Sequence, residues 1–153
     1  EWQDINQLMR DIEPLASGDA RLHGVELIFE LAPALPEVRC SSLQVQQGAL
    51  SLIRNSLDAM IDVNYEKGRS VVVRTHLIEG AVRASVIDSG PGVSVEAQAS
   101  LFSPFHTTKK GGMGLGLSTC RTLISDQGGT LDYFNHQPNG ATFYFDLPTG
   151  GTK

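Results

Sequence analysis

Two stretches of this chain alternate apolar and polar residues, turn, and alternate again. Ser70 to Ile78 and Ala81 to Ile87 flank Glu79-Gly80. Thr130 to Phe134 and Ala141 to Leu147 flank Gln137-Pro138-Asn139-Gly140. Period-two alternation around Gly-containing turns predicts two antiparallel hairpins. Val25 to Leu31 is a further strand, ended by the Pro-rich run 32–36, and Val38 to Cys40 a short one. Between the strands lie helical patterns. Ile5, Leu8, Met9, Ile12 and Leu15 place a helix over 5–16. Ser41 or Ser42 caps a long helix to about Asp62, with Leu43, Leu50, Ile53, Leu57, Met60 and Ile61 as its apolar face. Ser51, Asn55, Asp58 and Asp62 form its polar stripe. A short helix near 95–100 and one over 115–126, stopped by Gly128-Gly129, complete the pattern. Helices interleaved with hairpins predict an α/β fold: a two-layer α/β sandwich with a mixed, mostly antiparallel sheet and helices on one face.

Composition excludes several classes. With 41% hydrophobic and 19% charged residues, the 153-residue chain is globular and suits one domain. A net charge of -5 without a basic run argues against nucleic-acid binding and against contact with an anionic membrane. No apolar run approaches the roughly 18 residues of a membrane span. Cys40 and Cys120 form no CxxC and read as two reduced, buried thiols of a cytosolic domain. The polar N-terminus lacks a starting Met, so the chain reads as a fragment of a longer protein, and the parent remains open to membrane anchoring.

Four constellations carry candidate chemistry. Asn55 lies on the polar stripe of the long helix; it is either plain surface or an amide oxygen for a hard cation such as Mg²⁺. Asp88-Ser89-Gly90-Pro91-Gly92 follows a strand. It is either a turn with a helix cap or a carboxylate that reads an exocyclic amine such as that of adenine, with glycines clearing the approach. Leu101 to Lys110 includes Phe102, Phe105, Thr107, Thr108 and Lys109. It is either a polar loop over buried aromatics or the base of a lid with hydroxyls and a cation beside phosphates. Gly111 to Ser118 enters a helix with Gly112, Gly114 and Gly116. It is neither a Walker A loop nor a GxGxxG motif, and reads as a hinge or as a phosphate cradle of backbone N–H groups.

In their order, these segments resemble the catalytic and ATP-binding domain of sensor histidine kinases, in the GHKL superfamily. Asn55-Ser56-Leu57-Asp58-Ala59 resembles the N box and Asp88-Ser89-Gly90-Pro91-Gly92 the G1 box. Phe102-Ser103-Pro104-Phe105 resembles the F box, Gly112 to Leu117 the G2 box, and Gly140-Ala141-Thr142-Phe143 the closing strand. The short Thr-Thr-Lys lid is similar to the oxygen-sensing and nitrogen-regulatory branch. The resemblance implies roles. Asn55 would ligate Mg²⁺, Asp88 would bond the adenine amine, and Thr142 would support that contact through water. Gly90 and Gly92 would make room for the base. Gly112, Gly114, Leu115 and Gly116 would line the phosphates with Thr107, Thr108 and a catalytic Lys109, and Phe102 and Phe105 would anchor the lid. It also implies a division into a preceding linker or helix (1–20), the ATP-binding domain (21–149) and a disordered tail (150–153), with residues 106–113 a lid ordered by nucleotide.

Departures from the pattern refine the expectation. Ser51 stands where family members often carry Asn and where the ATP-hydrolysing members carry a Glu base. Asp58 stands where many carry a basic residue, leaving one phosphate contact to Lys109 or Arg54. A phospho-accepting His in this family precedes an acidic residue, whereas His23, His76, His106 and His136 precede Gly24, Leu77, Thr107 and Gln137. The expected activity is γ-phosphoryl transfer from MgATP to a His on separate dimerisation helices of the parent, with a response regulator downstream. The alternatives are a GHKL-type ATPase and a nucleotide-binding interaction module.

Overall fold

The computed structural model describes residues 1–60, 69–102, 116–136 and 140–149. Its strands are β1 (Trp2–Gln3), β2 (Glu26–Leu31), β3 (Val38–Arg39), β4 (Ser70–Ile78), β5 (Ala81–Asp88), β6 (Thr130–Asn135) and β7 (Ala141–Pro148). Its helices are α1 (Ile5–His23), α2 (Ser42–Ala59), α3 (Val95–Gln98) and α4 (Leu117–Ser125). The main sheet has five strands in the order β2-β4-β5-β7-β6. The two expected hairpins are β4–β5 and β6–β7, both antiparallel. β5 joins them by pairing antiparallel with β7. β2 pairs parallel with β4, because β3 and α2 intervene and return the chain to the same end.

Alternation makes one face of this sheet apolar. Val71, Val73, Val82, Ala84, Val86, Leu131, Phe143, Phe145 and Leu147 are buried in one core with α1 and α2. The opposite face carries ion pairs: Arg83 grips Asp146 with two bonds of 2.7 and 2.9 Å, and Arg74 meets Glu30. Residues 1–20, expected as the end of a preceding linker or helix, contribute Ile5, Leu8, Met9, Ile12, Ala16 and Ala20 to that same core. A buried ring of hydrogen bonds fixes the start of α1. Ala32 N donates to Thr75 Oγ1 (3.0 Å), Thr75 donates to Asn6 Oδ1 (2.7 Å), and Asn6 Nδ2 donates to Ala32 O (2.6 Å).

Three helical expectations change. α1 runs to His23 rather than Ala16, and its exposed Leu15 gives way to Ala16 and Ala20 as the buried positions. Ser17-Gly18-Asp19 is a weak helix former, but Ala20 packs in the core and Asp19 accepts from Arg54 Nε at 2.7 Å. Gly24, at φ +67°, then ends α1 as a left-handed cap. α2 begins as expected, with Ser41 Oγ accepting from Gln44 N at 3.3 Å, but Met60 caps its end. Its buried face is Val45, Gly48, Ala49, Leu52, Ile53 and Leu57, while Leu43 is 64% exposed. Small residues are buried because α4 lies close: a β-carbon on Gly48 would stand 3.6 Å from Ile124 Cδ1. Cys40 and Cys120 are buried and not joined in a disulfide, as expected. β1 was not expected; its two residues pair antiparallel with β3.

Candidate nucleotide site

Asp88 is the last residue of β5 and only 4% exposed. Its Oδ1 accepts from Gly90 N at 2.9 Å and from Ala141 N at 3.1 Å. These two bonds satisfy Oδ1, while a carboxylate has further acceptor capacity at Oδ2. Burial pushes the Asp88 carboxyl above the ordinary range for Asp. The bonds from Gly90 and Ala141, the neighbouring His136 and, least, the Ser56 hydroxyl act in the opposite sense. Ser56 projects from α2, and its fully buried Oγ makes no hydrogen bond of normal geometry among the described residues.

The loop after Asp88 is fitted tightly. Ser89 ties it to β4: Ser70 N donates to Ser89 Oγ at 2.9 Å, and Ser89 N donates to Ser70 O at 3.1 Å. A β-carbon on Gly90 would lie 3.1 Å from Asp88 Oδ1 and 3.2 Å from Met60 Cγ. Gly92 adopts φ +83°, and a β-carbon there would lie 3.0 Å from Asn135 Oδ1. Gly140, at φ +122°, admits the Asp88 carbonyl, which would stand 2.2 Å from any β-carbon. Gly92 and Gly140 need glycine for both conformation and space, and Gly90 for space alone.

Phe102 packs between β6 and α4. Its ring sits 6.2 Å from that of Tyr133, and Arg121 Cζ of α4 stands 3.6 Å above it. Gly116 caps α4 without a side-chain bond and leaves the first helical N–H groups unclaimed by a cap. Phe105, Thr107, Thr108, Lys109, Gly112, Gly114 and Leu115, and with them the expected lid, lie outside the described residues.

On α2, Asn55 is half-buried, and its side chain forms no hydrogen bond with another described residue. Its amide oxygen is a neutral hard donor, which fits Mg²⁺, a cation that takes few protein ligands beside phosphate and water. Asp58 is engaged: His23 Nε2 lies 3.3 Å from its Oδ1. Arg54, the candidate phosphate contact on this helix, is bound to Asp19 instead.

Thr142 stands differently from its expected place. It pairs across strands with Ile87, whereas Ala141 donates to Asp88. Side chains alternate along a strand, so the Thr142 hydroxyl leaves on the face opposite the Asp88 carboxyl. Sequence reasoning missed Ala141 N, Ser56, Asn135 and His136. Ser56 and Ala141 stood inside quoted motifs, but only register and helix rotation bring them to Asp88.

The structure thus brings together a buried strand-end carboxylate and glycines fitted closely around it. The profile of the histidine kinase-, DNA gyrase B- and HSP90-like ATPases matches residues 42–151. The chain belongs to this family. The nucleotide-free catalytic domain of histidine kinase ThkA is 30% identical, with a TM-score of 0.82 over 97% of this chain and 96% of that one. ThkA in complex with response regulator protein TrrA matches with a TM-score of 0.79 and 28% identity, over 97% of this chain and 41% of that chain. Sensor protein FixL of Bradyrhizobium diazoefficiens is 34% identical over 95% of this chain and 28% of its own length. The chain spans 22% to 32% of the length of four curated relatives it matches. Family membership makes it a catalytic domain of histidine-kinase type that uses ATP. No described helix is long and apolar enough to cross a membrane.

Proposed function

We propose that this domain holds MgATP and presents its γ-phosphoryl to a histidine on a separate dimerisation domain of the parent, which then serves a response regulator. The observation that carries the nucleotide reading is Asp88, a buried strand-end carboxylate whose Oδ1 is held by Gly90 N and Ala141 N, with Oδ2 as the acceptor for the base. The ionised carboxylate accepts from the adenine amine, and the glycine loop lets the base approach. Asn55 would hold Mg²⁺, which would neutralise phosphate charge. Gly112, Gly114 and Gly116 line the phosphates and Lys109 adds a cation, on the strength of their motif positions. In the transfer, an imidazole nitrogen lone pair forms a bond to the γ-phosphorus, the bond to the bridging oxygen breaks, and ADP leaves. A neutral imidazole needs no base, so catalysis is positioning and electrostatics. Ser51 supplies no carboxylate to activate water, which favours transfer over hydrolysis, since a general base contributes about 10²–10⁴-fold.

No described histidine precedes an acidic residue: His23 ends α1 beside Asp58, His76 lies in β4 and His136 follows β6. Radiolabelled ATP with the chain alone should leave the protein unlabelled and release little phosphate. Adding the parent's dimerisation helices should yield an acid-labile, alkali-stable adduct on those helices. Label on this chain by itself, or rapid phosphate release, would overturn the division of labour.

A further inference from the structure

Asn135 closes β6 directly across from Ala141, the residue whose N–H bonds Asp88. Its side chain does not point into the sheet pairing. It reaches the loop after Asp88 and takes both backbone groups of Val93: Val93 N donates to Oδ1 at 2.9 Å, and Nδ2 donates to Val93 O at 3.0 Å. A planar amide is suited to this double contact, because it offers one acceptor and two donors at fixed geometry. Neighbouring ties of the loop are local. Gly90 N bonds Asp88, Gln98 Nε2 reaches Val93 O, and Ser94 caps α3. Asn135 is therefore what fastens the stretch from Pro91 to Ser94 to a separate strand among the described residues. The fit includes Gly92, whose missing β-carbon would stand 3.0 Å from Asn135 Oδ1 and 3.3 Å from Gly140 O.

We propose that Asn135 is a positioning residue for base recognition, locking the glycine loop against the β6–β7 hairpin so that Asp88 meets the nucleobase amine at one fixed geometry. The inference rests on the reading of Asp88 as the amine acceptor. One strand pair supports both halves of the pocket: Ala141 holds the carboxyl, and Asn135 holds the loop that flanks it. Discrimination by a hydrogen-bonding site depends on such placement, since a displaced acceptor loses the matched ligand's advantage and little else. Asn135 is exposed, so its removal disturbs no core packing.

The test compares MgATP with MgITP, which carries a carbonyl oxygen in place of the amine. Dissociation constants of both are measured by calorimetry on this chain and on its Asn135→Ala and Asp88→Asn variants. Asn135→Ala should weaken MgATP binding by about five- to tenfold, from the net loss of two hydrogen bonds, and leave MgITP within about twofold. The ATP-to-ITP ratio should therefore collapse, a change that partial unfolding cannot produce because it weakens both nucleotides alike. Equal losses for the two nucleotides, or no loss, would overturn the role of Asn135. Asp88→Asn distinguishes the two layers of the argument. If it abolishes discrimination while Asn135→Ala retains it, the Asn135 inference alone falls. If Asp88→Asn retains discrimination, the adenine reading falls and takes this inference with it.

Discussion

Asp88→Asn exchanges one carboxyl oxygen for an amide nitrogen in a side chain that is 4% exposed. The remaining oxygen can still accept from Gly90 and Ala141, at 2.9 and 3.1 Å, so the end of β5 keeps its shape. What changes is the second position, where an N–H₂ now faces the donating amine of adenine. A charge-assisted bond is lost and two donors are left opposed, which together cost about 2–4 kcal/mol. That corresponds to a dissociation constant raised about 30- to 1000-fold. The free protein should respond in the opposite direction. Burial raises the Asp88 pKa in the folded state, so folding favours the protonated carboxyl. Its stabilising contribution is present below the unfolded pKa and is lost as pH rises through the raised folded value. At neutral pH the ionised carboxylate is therefore a cost, and the Asn variant should melt no lower than the parent chain. Calorimetric titration with MgATP and a thermal melt at pH 7 read the two effects separately. Unchanged MgATP affinity refutes the adenine assignment, and a clearly lower melting temperature refutes the burial argument.

Other consequences are open to measurement. The ionised form of Asp88 is the acceptor, so MgATP affinity should fall on acidification at a pH above the ordinary Asp range of about 3.9. Titrations stepped downward from pH 7 should show this acid limb in the parent chain and lack it in Asp88→Asn; identical profiles would sink the idea. Thr75→Val removes the hydroxyl that links Asn6 and Ala32, leaving a buried amide oxygen and a backbone N–H without partners. Urea unfolding should register a loss of about 2–3 kcal/mol, and a loss below about 0.5 kcal/mol would show that the ring is not a stabilising unit.

Much of this architecture was legible locally. Period-two alternation located β4, β5, β6 and β7 to within a residue or two, because one buried face writes itself into every second position. Asp88, Gly90 and Gly92 were legible as a unit only through their order with the other motifs, since the loop by itself reads equally as a turn with a helix cap. The cap at Ser41 was legible on its own, since an N-cap is satisfied within three residues. The structure also bears out the reading of Cys40 and Cys120 as buried thiols outside any disulfide.

The limits fall where partners are distant in sequence. Nothing near Leu43 says that α2 turns it outward and buries Gly48 and Ala49 instead; the approach of α4 decides that. Nothing near Asp58 or Arg54 announces His23 and Asp19, each 35 residues away, and Asp19 occupies the Arg54 charge that motif reading offered to a phosphate. The choice between Ala141 and Thr142 beside Asp88 is a matter of one residue of register, and in a strand one residue reverses the face. Asn135 carries no local sign of its grip on Val93, 42 residues earlier, because that contact exists only once β6 is laid beside β7. Sequence alone determined the elements, the turns and the chemistry available at each motif, since those follow from periodicity and backbone preference within a few residues. Tertiary structure decided which side chains share a face and which charges are already paired, since those follow from packing and register between segments that the chain holds far apart.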